Sequence, residues 1–339
     1  MTAVGQEQNV RELLAQARDL TEPALREAVN RLPQPTRSVA EFHFGWRAHK
    51  RHPATGDWGK GIRPGLVLAA ARAMGAAPER AASAAAGVEL VHNFTLIHDD
   101  LMDRDALRRG RPTVWALFGD PQAVLTGDAL LVVAMQTLAG EPALLSELCA
   151  TLLCLVAGQG ADLAFERRTD VSLQECLTMA AGKTAALLSS ACALGGLVAG
   201  AEPWRTDALR RFGHHLGLAF QLVDDLLGIW GRSAVSGKPV GADLRRRKNS
   251  LPVVAAFAAG GPDARRLAEL YRRENGALGD PDIQEAARLI ERAGGRAWAQ
   301  EEAERQRTAA LAALTDAAPD PTGAHHLTQL AHAITSRGR

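Results

Sequence analysis

Carboxylates interrupt an apolar, helix-patterned stretch at two places in this sequence. The first is His98-Asp99-Asp100-Leu101-Met102-Asp103, preceded by Val88, Leu90, Val91, Phe94, Leu96 and Ile97. At about 100° per residue, Asp99 and Asp103 fall one helical turn apart on the same face, so two negative charges converge. Their repulsion destabilises the turn unless a cation sits between them; a solvated helix end neutralised by Arg104, Arg108 and Arg109 is the competing reading. The second place is Asp224-Asp225, embedded in Phe220-Gln221-Leu222-Val223 and Leu226-Leu227-Gly228-Ile229-Trp230. Burying two acid pairs without partners costs several kcal/mol per ion, so a shared compensating charge is the economical explanation. Hard carboxylate oxygens in this number suit magnesium, which takes few protein ligands and completes its octahedron with water and phosphate oxygens.

Phosphate needs cationic donors, and these stand where loops meet helices: Lys60 and Arg63, Arg108, Arg109 and Arg111, Lys183 with Thr184, Lys238, and Arg245 to Lys248. Each alone reads as surface solubility. As a set flanking both acid pairs they resemble a site for two pyrophosphates bridged by metal. The sequence has no GxxxxGK[ST] loop, so ATP chemistry is not indicated. Glu89-Leu90-Val91-His92 is half of a di-iron carboxylate motif, but the second ExxH pair that such a centre needs is missing. Asn93 and His98 read equally well as satisfied polar core residues.

The elements that must hold these residues follow from composition. Of 339 residues, 39 are Lys or Arg and 38 are Asp or Glu, so the formal charge of +1 provides no global field for nucleic acid or an anionic membrane. A hydrophobic content of 47% with 23% charged residues fits a globular core, and only 4% aromatics amid abundant Ala and Leu favours an all-α class. Helical periodicity with breaks at Pro and Gly predicts helices at roughly 7–31, 37–48, 62–74, 79–107, 121–138, 142–167, 172–199, 204–230, 249–259, 263–274, 281–294, 297–315 and 323–336, and no strand. Beyond about residue 260 the pattern reads as peripheral helices. Cys149, Cys154, Cys176 and Cys192 have no CxxC spacing and lie in apolar helices, which suits reduced, buried thiols and a cytoplasmic setting. Met1 to Val10 does not have the pattern of a secretory signal. The uncharged run Thr184 to Ala201 approaches the ~20 residues that span a bilayer; its Ser, Gly and Cys content reads instead as a central buried helix, and no transmembrane segment is expected.

From Lys60 to about Pro252 the chain resembles the trans-isoprenyl diphosphate synthases, the polyprenyl synthetase family, in motif order and spacing. The pattern GGKxxRP appears as Trp58-Gly59-Lys60-Gly61-Ile62-Arg63-Pro64. DDxxD with its trailing LRRGxPT is complete as Asp99 to Asp103 and Leu107 to Thr113, and the mid-chain signatures match Gln159, Asp162, Leu163, Lys183 and Thr184. The second aspartate-rich motif departs, because Gly228 stands where the last acid belongs, and Arg232 replaces an aspartate in the segment that follows; Asp243 and Lys248 keep their spacing.

The resemblance implies one all-α domain of isoprenoid synthase fold over residues 1–339, a helical bundle around a central active-site cavity with the motif core at about 58–252, and a homodimer. It implies three Mg²⁺ per active site, held by Asp99, Asp103 and Asp224. Arg108, Lys183, Gln221 and Lys238 would face the allylic diphosphate, with Lys183 also catalytic and Thr184 and Lys248 as further substrate-binding residues. Lys60, Arg63, His92 and Arg109 would hold isopentenyl diphosphate. Phe94 and Thr95 occupy the chain-length positions, which points to geranylgeranyl diphosphate (C20), with farnesyl diphosphate (C15) next. A terpene cyclase on the same scaffold, or a non-catalytic subunit of a heteromeric synthase, are the alternatives. The first acid of the second motif being its main ligand, Gly228→Asp is expected to change little.

Overall fold

The computed structural model describes residues 3–166, 168, 170–231, 241–272 and 278–335. They are almost entirely helical, as expected, and divide into two compact units, Met1–Leu152 with Ser190–Arg210 and Ala317–Leu330, and Leu153–Ser189 with Arg211–Asp316 and Ala331–Arg339.

The first unit contains α1 (Ala3–Asn30), α2 (Thr36–His43), α3 (Ile62–Ala73), α4 (Ala82–Met102), α5 (Val114–Phe118) and α6 (Asp120–Thr137). Helix α4 packs on α1, α3 and α6, and Ala84, Ala85, Ala86, Val88, Leu90, Val91 and Ile97 are all at most 1% exposed. A helix apolar on every side is one surrounded on every side. Its run of alanines adds little side-chain entropy cost on ordering.

The second unit is built on α8 (Leu173–Ala180), α12 (Leu251–Ala259), α13 (Gly261–Arg272), α14 (Asp280–Arg292) and α15 (Gly295–Asp316). It also holds the later part of α10 (Pro203–Trp230). Ser172 and Glu175 close a capping box at the start of α8, satisfying two amides that the first turn leaves unpaired. Between α8 and α9 (Ala186–Val198) five residues, Ala181–Ala185, form a π-helical turn that carries Lys183 and Thr184. Cys176, Met179 and Ala180 pack there against Leu218, Leu222, Leu251 and Val254.

The structure corrects several boundaries. Helix α4 stops at Met102 instead of residue 107, and the following residues form a two-stranded hairpin, β1 (Leu107–Arg108) with β2 (Arg111–Pro112), where no strand was expected. Arg109 and Gly110 between them both have positive φ, 53° and 73°, the conformation of a two-residue hairpin turn. Helix α2 ends at His43 instead of residue 48, and two short helices, α5 and α11 (Ala242–Arg245), were not foreseen. The four cysteines are free thiols, but Cys154 is exposed and only Cys176 and Cys192 are buried. The run beginning at Thr184 is buried as expected: Ala185, Leu187, Leu188, Ala191, Cys192, Ala193 and Leu194 are at most 2% exposed. Two helical stretches, α7 (Pro142–Phe165) and Leu173–Val198, are long and apolar enough to cross a membrane. The second is mostly buried within the protein, whereas α7 exposes Leu153 and Val156.

Candidate active site

The first motif splits its acids between inside and outside. Asp100 is 2% exposed and accepts hydrogen bonds from Arg108, Nη2 at 2.7 Å and Nε at 2.9 Å. The hairpin makes this possible by turning the chain back so that Arg108 returns to α4. Asp99 and Asp103 keep some exposure at the end of the helix. The competing reading of a neutralised helix end therefore holds for Asp100, through Arg108. Arg104, another of the three cations in that reading, pairs with Asp120 on α6 at 2.9 Å.

The loop ahead of α3 brings the predicted cations together. Gly59 has φ +135°, and a Cβ there would lie 3.0 Å from the Arg109 guanidinium, so the loop carrying Lys60 closes directly on Arg109. His92 lies beside Arg63, Arg109 and Arg108. Burial lowers its pKa well below the ordinary imidazole value and those charges lower it further, so the ring is neutral. His43, Asp100, Arg108, Arg109 and Arg111 line a cavity of about 90 Å³ together with Asp57 and Thr55. The Nε and Nη2 atoms of Arg111 are buried there without a protein partner, and its guanidinium stacks over Phe42 at 4.4 Å. A pocket walled by this many donors suits an anion of high charge.

A buried relay behind this pocket was not legible from sequence. The Asn93 Nδ2 donates to Glu89 Oε1 at 3.0 Å, and Asn93 Oδ1 lies 3.0 Å from His43 Nε2. Glu89 is therefore not half of an iron site; it is a carboxyl facing Arg63, Arg109 and Arg18, and burial pushes its pKa from 4.5 up to about 7. A carboxyl that holds its proton more tightly when folded destabilises the fold as pH rises from about 4.5 through about 7. Glu89→Gln should remove that slope. Tm measured for both proteins across this window should show the wild type falling relative to the variant; parallel curves would mean that Glu89 is not held in its neutral form.

His98, left open as ligand or core residue, belongs to the packing of α6: its Nε2 lies 3.2 Å from the Val124 carbonyl oxygen, and any side chain at Gly127 would collide with the ring. Phe94 meets the same ring edge-on at 5.0 Å between centroids. Thr95 donates to the His92 carbonyl at 2.7 Å.

In the second unit the π-helical turn presents Lys183 to Asp162 at 2.5 Å, a partner to which sequence reasoning had given no role. Such turns recur at functional sites because they break the regular side-chain spacing. Thr184 Oγ1 donates to Gln221 Oε1 at 2.6 Å, and Gln221 Nε2 donates to Asp225 Oδ1 at 2.7 Å. Both ends of the Gln221 amide are thus engaged, which makes Thr184 and Gln221 a brace for Asp225. Asp225 is 3% exposed and also accepts from the Leu251 amide at 2.9 Å, at the start of α12. Burial pushes its pKa up to about 7 despite Lys248. For Lys248, burial favours the neutral amine, yet Asp162, Asp225, Asp243 and Asp224 together hold the ammonium above its ordinary pKa. Its charge offsets that of this acidic cluster. Asp224, by contrast, is exposed. Lys238 and Arg232 lie outside the described residues.

A divalent cation fits these donors. In each motif one acid is internal and paired, Asp100 by Arg108 and Asp225 by Gln221 and the Leu251 amide, while Asp99, Asp103 and Asp224 retain exposure. Exposed carboxylates are hard oxygen donors of the kind a divalent cation takes, in each unit considered by itself.

The Polyprenyl synthetase family model matches residues 52–290. The chain is 48% identical over 332 residues to a (2E,6E)-farnesyl diphosphate synthase of Mycobacterium tuberculosis, covering 96% of this chain and 92% of that protein. It is 46% identical over 319 residues to a geranylgeranyl diphosphate synthase of the same organism, covering 91% and 90%. The crystal structure of a polyprenyl synthetase from Streptomyces coelicolor superposes with a TM-score of 0.91 at 45% identity, covering 96% of this chain and 99% of that one. The chain belongs to the polyprenyl synthetase family, with its all-α isoprenoid synthase fold. Its activity is that of a short-chain trans-prenyltransferase.

Proposed function

We propose that this enzyme condenses isopentenyl diphosphate with an allylic diphosphate, and that the product is geranylgeranyl diphosphate, with farnesyl diphosphate the nearest alternative. The observation that carries the reading is the second anion pocket. Lys60 follows Gly59, whose backbone closes on Arg109, and His92 lies beside Arg63 and Arg109; a cyclase acting on one diphosphate has no use for this second group of cations. Asp99, Asp103 and Asp224 would hold magnesium, three ions per active site. Bound there, magnesium would neutralise the allylic diphosphate and make it a better leaving group.

The residues divide the remaining work. Arg108, fixed by Asp100, and Lys183, fixed by Asp162, stabilise charge that develops on the departing diphosphate, with Lys238 as a further donor. Lys60, Arg63 and Arg109 hold isopentenyl diphosphate so that its double bond meets the allylic cation. His92, kept neutral among arginines, donates a hydrogen bond without adding positive charge. The released pyrophosphate then takes the proton that the new carbon skeleton loses.

We assign the chain to a single catalytic domain acting in the cytoplasm as a homodimer. The support for dimerisation is apolar exposure: Val124, Leu125 and Val132 on α6 are 43%, 54% and 52% exposed, and Leu153 and Val156 on α7 are 73% and 62% exposed. The decisive experiment is incubation with isopentenyl diphosphate, Mg²⁺ and each of the C5, C10 and C15 allylic diphosphates. Elongated linear diphosphates are expected; cyclic hydrocarbons without elongation would overturn the reading.

Phe94 sets the expected length. It precedes Asp99 by five residues, about 7.5 Å along a helix that rises 1.5 Å per residue, so a prenyl chain descending from the metal end meets the ring. The His98 contact and its anchor on α6 hold that ring in place. Phe94→Ala should shift the product distribution to chains longer than those of the wild type while condensation continues. Unchanged length in an active variant would remove the ring from this role.

A further inference from the structure

Gly228 departs from the pattern of the second acid motif, and the structure shows what fills its place. It lies one turn beyond Asp224 on α10, so a side chain there would share the Asp224 face. A Cβ at 228 would collide with Oδ2 of Asp243 and lie 2.7 Å from its Cγ and 3.3 Å from its Oδ1. Asp243 belongs to α11, a separate element further along the chain, and is partly exposed. The room for the third acid is therefore taken by a carboxylate delivered from elsewhere. Only glycine leaves that room open.

We infer that Asp243 is the second carboxylate of the metal site begun by Asp224, supplying from α11 the acid that α10 lacks at Gly228. The inference rests on the reading of Asp224 as a metal ligand. Charge supports it. Asp162, Asp224, Asp225 and Asp243 all act on the buried Lys248, and Asp162 is also paired with Lys183. Asp225 is spoken for by Gln221 and the Leu251 amide. Asp224 is exposed one helical turn before Gly228 and Asp243 is partly exposed against Gly228, and neighbouring like charges of this kind are stabilised by a hard dication. The expectation that Gly228→Asp changes little is thereby reversed: the new carboxylate would compete with Asp243 for the same volume and add a like charge.

The test is Mn²⁺ titration of the full-length protein, followed by electron paramagnetic resonance in the presence of inorganic pyrophosphate, with Tm measured in parallel. Asp243→Asn keeps the shape and removes the charge; it should weaken Mn²⁺ binding about 10-fold with Tm little changed. Gly228→Asp alone should lower Tm. The exchange Gly228→Asp with Asp243→Gly returns the acid to α10 and frees its space, and should restore Mn²⁺ affinity to within about 3-fold of wild type. This last protein separates a ligand role from a merely structural one, since a role exerted through Lys248 would not be rescued by moving the acid. Asp224→Ala is the control. If it abolishes the weakest Mn²⁺ site while Asp243→Asn binds normally, the inference is wrong and the metal reading stands. If neither change alters Mn²⁺ binding, the metal reading of the second motif fails with it. If Asp243→Asn does not fold, failure of the exchange protein to bind Mn²⁺ overturns the inference.

Discussion

Asp99→Asn and Asp103→Asn each lower kcat by at least about 10²-fold with little change in Tm, whereas Asp100→Asn lowers Tm as well as activity. The three acids share one motif and differ in what each side chain meets. Asp99 and Asp103 keep exposure at the C-terminal end of α4, so removing a negative charge there relieves repulsion within the helix. On the proposed function it also removes a ligand of the cation that would gather the departing diphosphate, and losing one such electrostatic contact commonly costs about 10²–10³ in rate. Asp100 is 2% exposed and holds Arg108 through three contacts of 2.7 to 2.9 Å. Breaking that pair removes the carboxylate that binds a half-buried guanidinium directly, at a cost of about 3 kcal/mol. Circular dichroism melts together with steady-state rates at saturating Mg²⁺ separate the two behaviours. Near-normal turnover in either Asp99→Asn or Asp103→Asn would end the metal assignment, and an unchanged Tm in Asp100→Asn would end the structural one.

The division between neighbouring acids shows what the sequence could carry and what it could not. Helical periodicity located α4 and α10 because each is long and apolar on most faces, a signal spread over many residues. That Asp99 and Asp103 share a face follows from the helical repeat alone. Which of Asp99 and Asp100 turns inward does not, because both are aspartate and the choice is made by Arg108, brought back by a hairpin that rests on the positive φ of Arg109. The same limit hid the Glu89, Asn93 and His43 relay, whose ends lie about fifty residues apart and meet only when α2 packs near α4. Glu89 was legible only as part of an ExxH pattern, and its pairing with Asn93 one turn on has no distinctive spacing. The π-helical turn at Lys183 also left no mark in an Ala, Gly and Thr sequence that reads as ordinary helix. Asp243 was visible as an aspartate at family spacing, but that it fills the space missing at Gly228 is a fact of three dimensions.

The cationic pocket leads to the second large effect: Arg63→Ala and Lys60→Ala raise KM for isopentenyl diphosphate about 10- to 100-fold and leave KM for the allylic substrate near its wild-type value. The magnitude follows from losing one charge-assisted hydrogen bond to a diphosphate, worth about 1.5–3 kcal/mol. Selectivity follows from placement. Arg63 and Lys60 belong to the start of α3 and its preceding loop, where Gly59 brings the Arg109 guanidinium within about 3 Å of the position a Cβ would take. Lys183 is committed to a different partner, Asp162, in the second unit. Lys183→Ala should therefore act in the opposite sense, raising KM for the allylic diphosphate and lowering kcat, because its charge is needed as that diphosphate leaves. Arg109→Ala provides the cross-check, since it touches the Lys60 loop without belonging to it and should follow the Arg63 pattern. Initial rates with each substrate varied at a saturating level of the other supply both constants. An equal loss of both affinities in every variant would merge the anchors into one site, and with that the argument for condensation over cyclisation would fall.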